Sequence, residues 1–427
     1  MIARVALFTT HKERLFFLLV ALFIAIASLG YEFYSYKKFT AFDSQLIEAK
    51  VLKQYTKTKT TKQGYSRTYQ VLKLKSNDGL NFYTIAPKKL EDVKGKILSL
   101  EIWAGDITFL EYLRTFFAYG KILNIDENES FKNSLEQKVQ NQHTSLEIAS
   151  LYNALYFAHP LNAKLQERFS YLGVSHLIAI SGFHLGLLFG FLLLLLRKPY
   201  IFLQDRYFPF RSFKRDSFFI ISTLLFFYML FLETPPSLLR AFVMLVVGFI
   251  LYDRGVKILS METLFVAVVL ILALFPKLLF SIGFWLSVAG VFYIFLFLIH
   301  FEKRSKIFKF ILLPIWIYIM MLPYSLSIFA SFSLYHPLSI ILTALFTLFY
   351  PLSIVAHTIA QGALFDSWLQ ILLSYPIDKQ TIKLDMEFLY LQIALSFVAI
   401  FRREALWLLL FFSSSIFIYS IYYVTEF

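Results

Sequence analysis

The 427-residue chain has no cysteine. Disulfides, thiolate metal sites and cysteine nucleophiles are therefore excluded, and the redox compartment is left undetermined. Charge is scarce too. Asp, Glu, Lys and Arg supply 16% of residues, against about 25% in ordinary soluble domains. There is no Gly-x-x-x-x-Gly-Lys-Ser/Thr loop, so the chain cannot itself couple ATP to work by the P-loop route. His-Glu-x-x-His and Gly-rich dinucleotide motifs are also absent. No cofactor and no enzymatic activity are expected.

What remains is strongly apolar. Hydrophobic residues make up 58% of the chain, 50 of them Phe, and the mean hydropathy is +0.64. Those values describe a polytopic membrane protein. The formal net charge of +13 is partly topological, because cytoplasmic loops collect Lys and Arg. Arg4, Lys12 and Arg14 precede an apolar run from Leu15 to about Leu29, with no small-residue cleavage site after it. Tyr31, Phe33, Tyr34 and Tyr36 follow, as at a membrane interface. Residues 1–36 are thus expected to form an uncleaved signal anchor with a cytoplasmic N-terminus.

Residues 37–125 are soluble in character. Tyr69–Ser76 and Leu80–Ala86 alternate around Asn77-Asp78-Gly79, a hairpin signal, and Lys94–Trp103 alternates again. Several short strands in so few residues suggest a small β-barrel, with an OB-fold the natural candidate and another small β domain the alternative. The region holds 16 Lys and Arg against 8 Asp and Glu. Its run from Lys53 to Arg67 interleaves Lys53, Lys57, Lys59, Lys62 and Arg67 with Tyr and Thr. Such a run suits backbone contacts and base stacking with nucleic acid; it equally describes a solvated lysine-rich loop. Residues 126–170 read as amphipathic helices on the membrane surface. One opens after a Ser130 cap, and another runs from Ser145 to a stop at Pro160. His159 reads as a helix-end residue.

Residues 171–427 are membrane. Spans are expected near 175–196, 217–232, 237–252, 262–275, 283–301, 307–328, 337–358, 387–401 and 405–424, about ten with the anchor. Basic loops at 197–216, 253–260 and 302–309 all come out cytoplasmic, and the β domain and the Glu233–Pro236 turn come out on the far side. Arg402 and Arg403 break simple alternation, so one segment between 307 and 386 must be re-entrant, split or an extra span. Pro314, Pro323, Pro337 and Pro351 are expected to break helices there, and Phe365–Pro376 has the length of a half-helix.

The most informative stretch is Ser175–Gly190, where His176, Ser181 and His184 interrupt an apolar run. Polar groups at membrane depth face protein or water. Read as one helix, the stretch puts Gly182, Gly186 and Gly190 on a close-packing face, with Ser181 and His184 on another. Ser181 and His184 lie three apart on one helix, a poor arrangement for nucleophile and base, so an intramembrane protease is disfavoured. Along with His300, His336 and His357, these histidines either hydrogen-bond to neighbouring helices, line an aqueous path, or assemble a metal site across helices. Arg240 sits three residues into a span. It either pairs with Glu233 across the Pro-Pro turn or presents a guanidinium to a phosphate.

The segment "HLIAISGFHLGLL" (His176–Leu188) resembles the signature of the ComEC-type competence family of inner-membrane DNA uptake channels. "PPSLLRAFVM" (Pro235–Met244) is similar to that family's Ser-x-x-Arg-Ala-x-x-Met stretch. "GFWLSVAGV" (Gly283–Val291) is similar to its Gly-Phe-x-Leu-Ser-x-x-Ala/Gly stretch. Ser281 and Trp285 stand where the family usually has an acidic residue and Gln, so roles tied to those side chains do not transfer. The resemblance implies a multi-pass inner-membrane channel, over residues 171–427, that passes single-stranded DNA into the cytoplasm. It also implies a periplasmic OB-like domain over 37–125. His176, Ser181, His184, Arg240, Glu233 and Ser287 would be its polar intramembrane residues; Gly182, Gly186, Gly190 and Gly283 would pack its helices. Expected partners are the bilayer, single-stranded DNA, a periplasmic DNA receptor, and a cytoplasmic helicase or single-strand-binding protein that supplies the driving force. Family members often carry a C-terminal metallo-β-lactamase-like domain. No His-x-His-x-Asp-His motif occurs here, so a short form without nuclease activity is expected. A secondary transporter of another anion and a non-conducting scaffold are the alternatives.

Overall fold

The computed structural model describes residues 7–8, 10–60, 66–77, 79–103, 105–126, 131–255, 260–377 and 380–426. The chain is mainly helical and forms two compact units. One comprises Thr10–Ser134 with Val269–Ser281; the other comprises Met1–Thr9, Leu135–Val268 and Ile282–Phe427.

The first unit begins with α1 (His11–Phe39). A capping box starts it: Thr10 Oγ1 accepts from the Glu13 amide at 3.2 Å, and the Glu13 carboxylate reaches back to the Thr10 amide. The strands are β1 (Ser44–Thr60), β2 (Ser66–Ser76), β3 (Asn81–Ala86) and β4 (Ile97–Trp103). After the short helix α2 (Phe109–Leu113) come β5 (Phe116–Phe117) and β6 (Tyr119–Asp126). Together they make one six-stranded sheet ordered β5-β3-β2-β1-β4-β6. The expected hairpin is present: β2 and β3 pair antiparallel, with Gly79 at φ +79° in the turn. Only Ala118 separates β5 from β6, yet β5 pairs in parallel with β3 while β6 pairs with β4. Among the described residues no ladder joins the two ends of the sheet, so the closed barrel expected from the sequence is not drawn by the hydrogen bonds.

Period-two alternation puts Leu72, Leu74, Phe82, Leu98, Leu100 and Ile102 on the inner face, all fully buried. Each contributes roughly 1.5–3 kcal/mol of transfer free energy. The membrane helix is built into this core. Phe39 packs on Tyr112 and Phe116, the Tyr36 hydroxyl donates to the Ile107 carbonyl at 2.8 Å, and Gln45 caps the Phe39 carbonyl at 2.7 Å. A second capping box, Thr108 with Glu111, opens α2. The Thr108 donors hold the Glu111 carboxyl below its ordinary range.

The helices that follow are α3 (Phe131–Gln140), α4 (Leu146–Phe157), α5 (Ala163–Tyr171), α6 (Ser175–Ile178), α7 (Gly182–Tyr207), α8 (Phe213–Phe231), α9 (Pro236–Asp253), α10 (Met261–Leu274), α11 (Ile282–His300), α12 (Lys306–Phe329), α13 (Ser339–Thr358), α14 (Asp366–Ser374), α15 (Met386–Ala399) and α16 (Arg403–Glu426). The Ser130 cap lies outside the described residues. α4 ends as expected, with Ala158 left-handed at φ +58° two residues before Pro160. Among the described residues, six helices have the length and composition to cross a membrane. They are α1, α7, α11, α12, α16 and His336–Thr358, a 3-10 turn continuous with α13.

The proline expectation needs correction. Pro314 and Pro323 lie inside the unbroken α12 and Pro351 inside α13, while Pro337 sits in the 3-10 turn leading into α13. In a packed apolar bundle, neighbouring groups and local adjustments accommodate the missing N–H. The break falls instead at α14, which at nine residues is about 13 Å long.

Candidate functional site

The stretch expected to be one helix is two. α6 ends at Ile178, Ala179 is extended (φ −71°, ψ 124°), and α7 starts at Gly182 with Ser181 as its N-cap. The reason is local. The Ser181 hydroxyl accepts from the Phe183 amide, and His184 Nδ1 accepts from the Ser181 amide, each at 3.3 Å. Ser181 and His184 thus form a capping pair with imidazole in the place of Glu, and do not line a common helix face. Because Nδ1 accepts, the ring proton is on Nε2. The fully buried ring lies edge-on to Phe346 and Tyr350.

The break is where the second sequence motif docks. Ser237 Oγ, in the first turn of α9, donates at 2.6 Å to the Ile180 carbonyl that the break exposes. A Cβ on Gly182 would stand 3.0 Å from Ala241 Cβ. Close approach therefore requires glycine at 182 alone of the helical series, since nothing lies within 4 Å of a Cβ at Gly186 or Gly190. One turn on from Ser237, Arg240 is 7% exposed, and its guanidinium lies 5.6 Å from the ring centroid of Phe284 in α11. Phe284 belongs to the third motif. Three segments separated by up to about a hundred residues thus meet, with a buried cation at the junction. Gly283 and Ser287 are exposed on α11. Glu233 is exposed in a tight turn, where it and Thr234 have φ +62° and +50°. His176 is exposed, with Nε2 3.4 Å from the Thr343 hydroxyl of α13, which itself donates to the Ser339 carbonyl.

The lysine run is strand, not loop. Lys53, Lys57 and Lys59 lie in β1 and Arg67 in β2, in continuous antiparallel register from Lys53↔Lys73 to Thr60↔Ser66. Lys62 lies outside the described residues. A solvated loop is thereby excluded for residues 53–60. On the face away from the core, one row across the sheet runs Lys53–Lys73–Tyr83, and Lys57 stands opposite Tyr69. Tyr55, 46% exposed, is on the same face. Lys73 Nζ sits 5.7 Å from the Tyr83 ring centroid. Burial, and then the adjacent Lys53, push the Lys73 ammonium below its usual value. Burial, with Tyr55 adding, pushes the Tyr83 phenol up. Like charges directly opposite cost stability, and an anion bridging Lys53 and Lys73 relieves that cost. Lys73 and Tyr83 were missed in the sequence because cross-strand neighbours are not sequence neighbours.

Two buried polar clusters were also missed. Gln392 donates to Tyr293 Oη at 3.2 Å and to the Met320 carbonyl at 3.3 Å, and accepts from Ser413 at 3.0 Å, tying α11, α12, α15 and α16 together. The second joins His143, His357 and Asp366. Among the described residues no group of three or more His, Asp or Glu is arranged to hold a metal ion, and the metal site across His176, His184, His300, His336 and His357 is not assembled. His300 Nε2 donates to the Ala399 carbonyl at 2.8 Å, and His336 meets Tyr318.

A family model described as "Competence protein" matches residues 158–425. No curated protein and no solved structure matches the chain.

Proposed function

The chain belongs to the competence protein family, whose role lies in DNA uptake during transformation, and from that premise we propose that it is a multi-pass inner-membrane channel for single-stranded DNA. The observation that carries this reading is the buried Arg240 at the meeting point of the α6–α7 break, α9 and α11. A fixed guanidinium in a membrane helix is costly unless it serves a path or a partner, and its planar fork suits bidentate contact with phosphate. The β domain is proposed as an OB-like barrel in which β5 and β6 act as one bent strand bridging β3 and β4. Its Lys53–Lys73–Tyr83 row, with Tyr55 and Lys57, resembles the stacking-and-charge surfaces that track a single strand. The driving force is assigned to a cytoplasmic helicase or single-strand-binding protein, and delivery to a periplasmic receptor.

The test is a gene deletion scored for uptake of labelled DNA across the inner membrane. Loss of uptake, restored by the plasmid-borne gene, is the expected result; normal transformation in the deletion strain leaves transport of another anion as the better reading. The topology makes its own forecast from the distribution of Lys and Arg. Reporter fusions at Lys75 and Arg211 are expected to give opposite signals, periplasmic and cytoplasmic, and the same signal from both sinks the assignment.

A further inference from the structure

His143, in the connection between α3 and α4, is fully buried and lies with Nδ1 2.9 Å from both carboxylate oxygens of Asp366 at the start of α14. Its Nε2 is 3.0 Å from Nε2 of His357, near the end of α13. The hydrogen-bond directions can be assigned by following the donors. His357 Nδ1 is 2.7 Å from the Ser353 carbonyl, which only accepts, so Nδ1 carries a proton. The Tyr156 hydroxyl, 3.2 Å from the same nitrogen, does not reverse this. Its proton goes to Ser353 Oγ at 2.7 Å, and the Ser353 proton goes on to the Tyr350 carbonyl at 2.8 Å. A neutral His357 therefore presents a bare Nε2. His143, donating Nδ1–H to a carboxylate, also presents a bare Nε2 when neutral. Two lone pairs would then face each other at 3.0 Å, a repulsive contact at hydrogen-bond distance.

We infer that His143 and His357 hold one proton between their Nε2 atoms, with Asp366 as counter-ion, so that the three side chains form a proton-binding site that fastens the α3–α4 segment to α13 and α14. The count does not depend on where the proton resides. If Asp366 carries it and donates to His143 Nδ1, His143 Nε2–H still donates to His357, and the trio still holds one proton. The titratable groups facing the pair are Asp366 from α14 and Tyr152 and Tyr156 from α4. Tyr152 stacks on His143 at 4.5 Å and meets His357 edge-on at 4.6 Å. Burial, with the Asp366 charge adding for Tyr152, pushes both phenols up, so they remain neutral. The frame around the pair is tight. Gln142 accepts from the Gly362 amide at 2.9 Å and donates to the His357 carbonyl at 3.3 Å. A Cβ at Gly362 would come within 2.6 Å of the Gln142 oxygen and 2.9 Å of the His357 ring. None of these residues is among those assigned above to DNA, and the site does not require that assignment.

The test is long-range 1H–15N correlation spectroscopy on the full-length protein in nanodiscs, labelled with 15N in its imidazoles, with His143→Asn and His357→Asn identifying the resonances. At neutral pH the two Nε2 atoms are expected to share one proton and to titrate together in one step as pH rises. Asp366→Asn removes the counter-ion and is expected to lower the proton affinity about tenfold or more, moving the step to lower pH. Two bare Nε2 signals throughout the neutral range overturn the proposal. So does a pair whose signals change on adding zinc and return with EDTA, which indicates a metal. If the variants fail to fold, the wild-type spectrum decides alone, because an open pair adds two unprotonated nitrogens to it.

Discussion

Arg240→Ala is expected to abolish transformation while the protein still accumulates in the membrane. Removing one member of a buried, hydrogen-bonded charge contact costs on the order of 2–5 kcal/mol, so DNA transfer should fall about thirtyfold or more. Arg240→Lys keeps the charge but loses the planar fork and should recover only part of the activity. A structural explanation makes a different forecast. The guanidinium lies over Phe284, and a desolvated cation–π contact is worth about 2 kcal/mol. If Arg240 serves only to hold α9 against α11, then Phe284→Leu should match Arg240→Ala, and both proteins should fail to accumulate. The Glu233 pairing is tested by exchange. Restoration of uptake by Glu233→Arg combined with Arg240→Glu would remove the case for an arginine that handles phosphate.

The second large effect is expected at the sheet. In the full-length protein in nanodiscs, single-stranded DNA binding should weaken steeply with salt, because each lysine–phosphate contact releases counterions. Replacing Lys53, Lys57 and Lys73 by Gln should lower the slope of log affinity against log salt by about 2, which at 0.1 M salt is about a hundredfold. Tyr55→Ala should cost a further 1–3 kcal/mol, roughly, if a base stacks there. The single change Lys73→Gln separates function from architecture. It removes a like charge opposite Lys53, so it should stabilise the domain by a few tenths of a kcal/mol, roughly, while weakening DNA binding. A Lys73→Gln protein that binds as tightly as the parent, with an unchanged salt slope, would return this face to plain solvated surface.

Helix and strand identities were legible because they rest on local pattern. The alternation of Tyr69–Ser76 and Leu80–Ala86 around Gly79 marks the β2–β3 hairpin, and apolar runs mark the long helices. The half-helix at α14 was legible from length. The α6–α7 break was not, because Ser175–Gly190 is apolar enough to read as one helix. The break depends on Ser181 and His184 closing a cap, and on Ser237 from α9 satisfying the Ile180 carbonyl. Pro314, Pro323 and Pro351 misled for the reverse reason. Local sequence makes proline a breaker, but a surrounding bundle accommodates it. Strand pairing likewise turned an ambiguous lysine run into an ordered face, since Lys73 and Tyr83 reach Lys53 only across the sheet.

By itself the sequence determined that this is a membrane protein of the competence family, because hydropathy and contiguous motifs are properties of neighbours along the chain. It also singled out Arg240 and the α6–α7 motif as candidates. Which polar groups meet was decided by the tertiary structure alone. His143 and Asp366 are separated by 223 residues, carry no motif, and acquire a shared chemistry only when α4, α13 and α14 pack. In a low-dielectric interior, each polar group must find its partner wherever the fold brings one, and such partners leave no trace in local spacing.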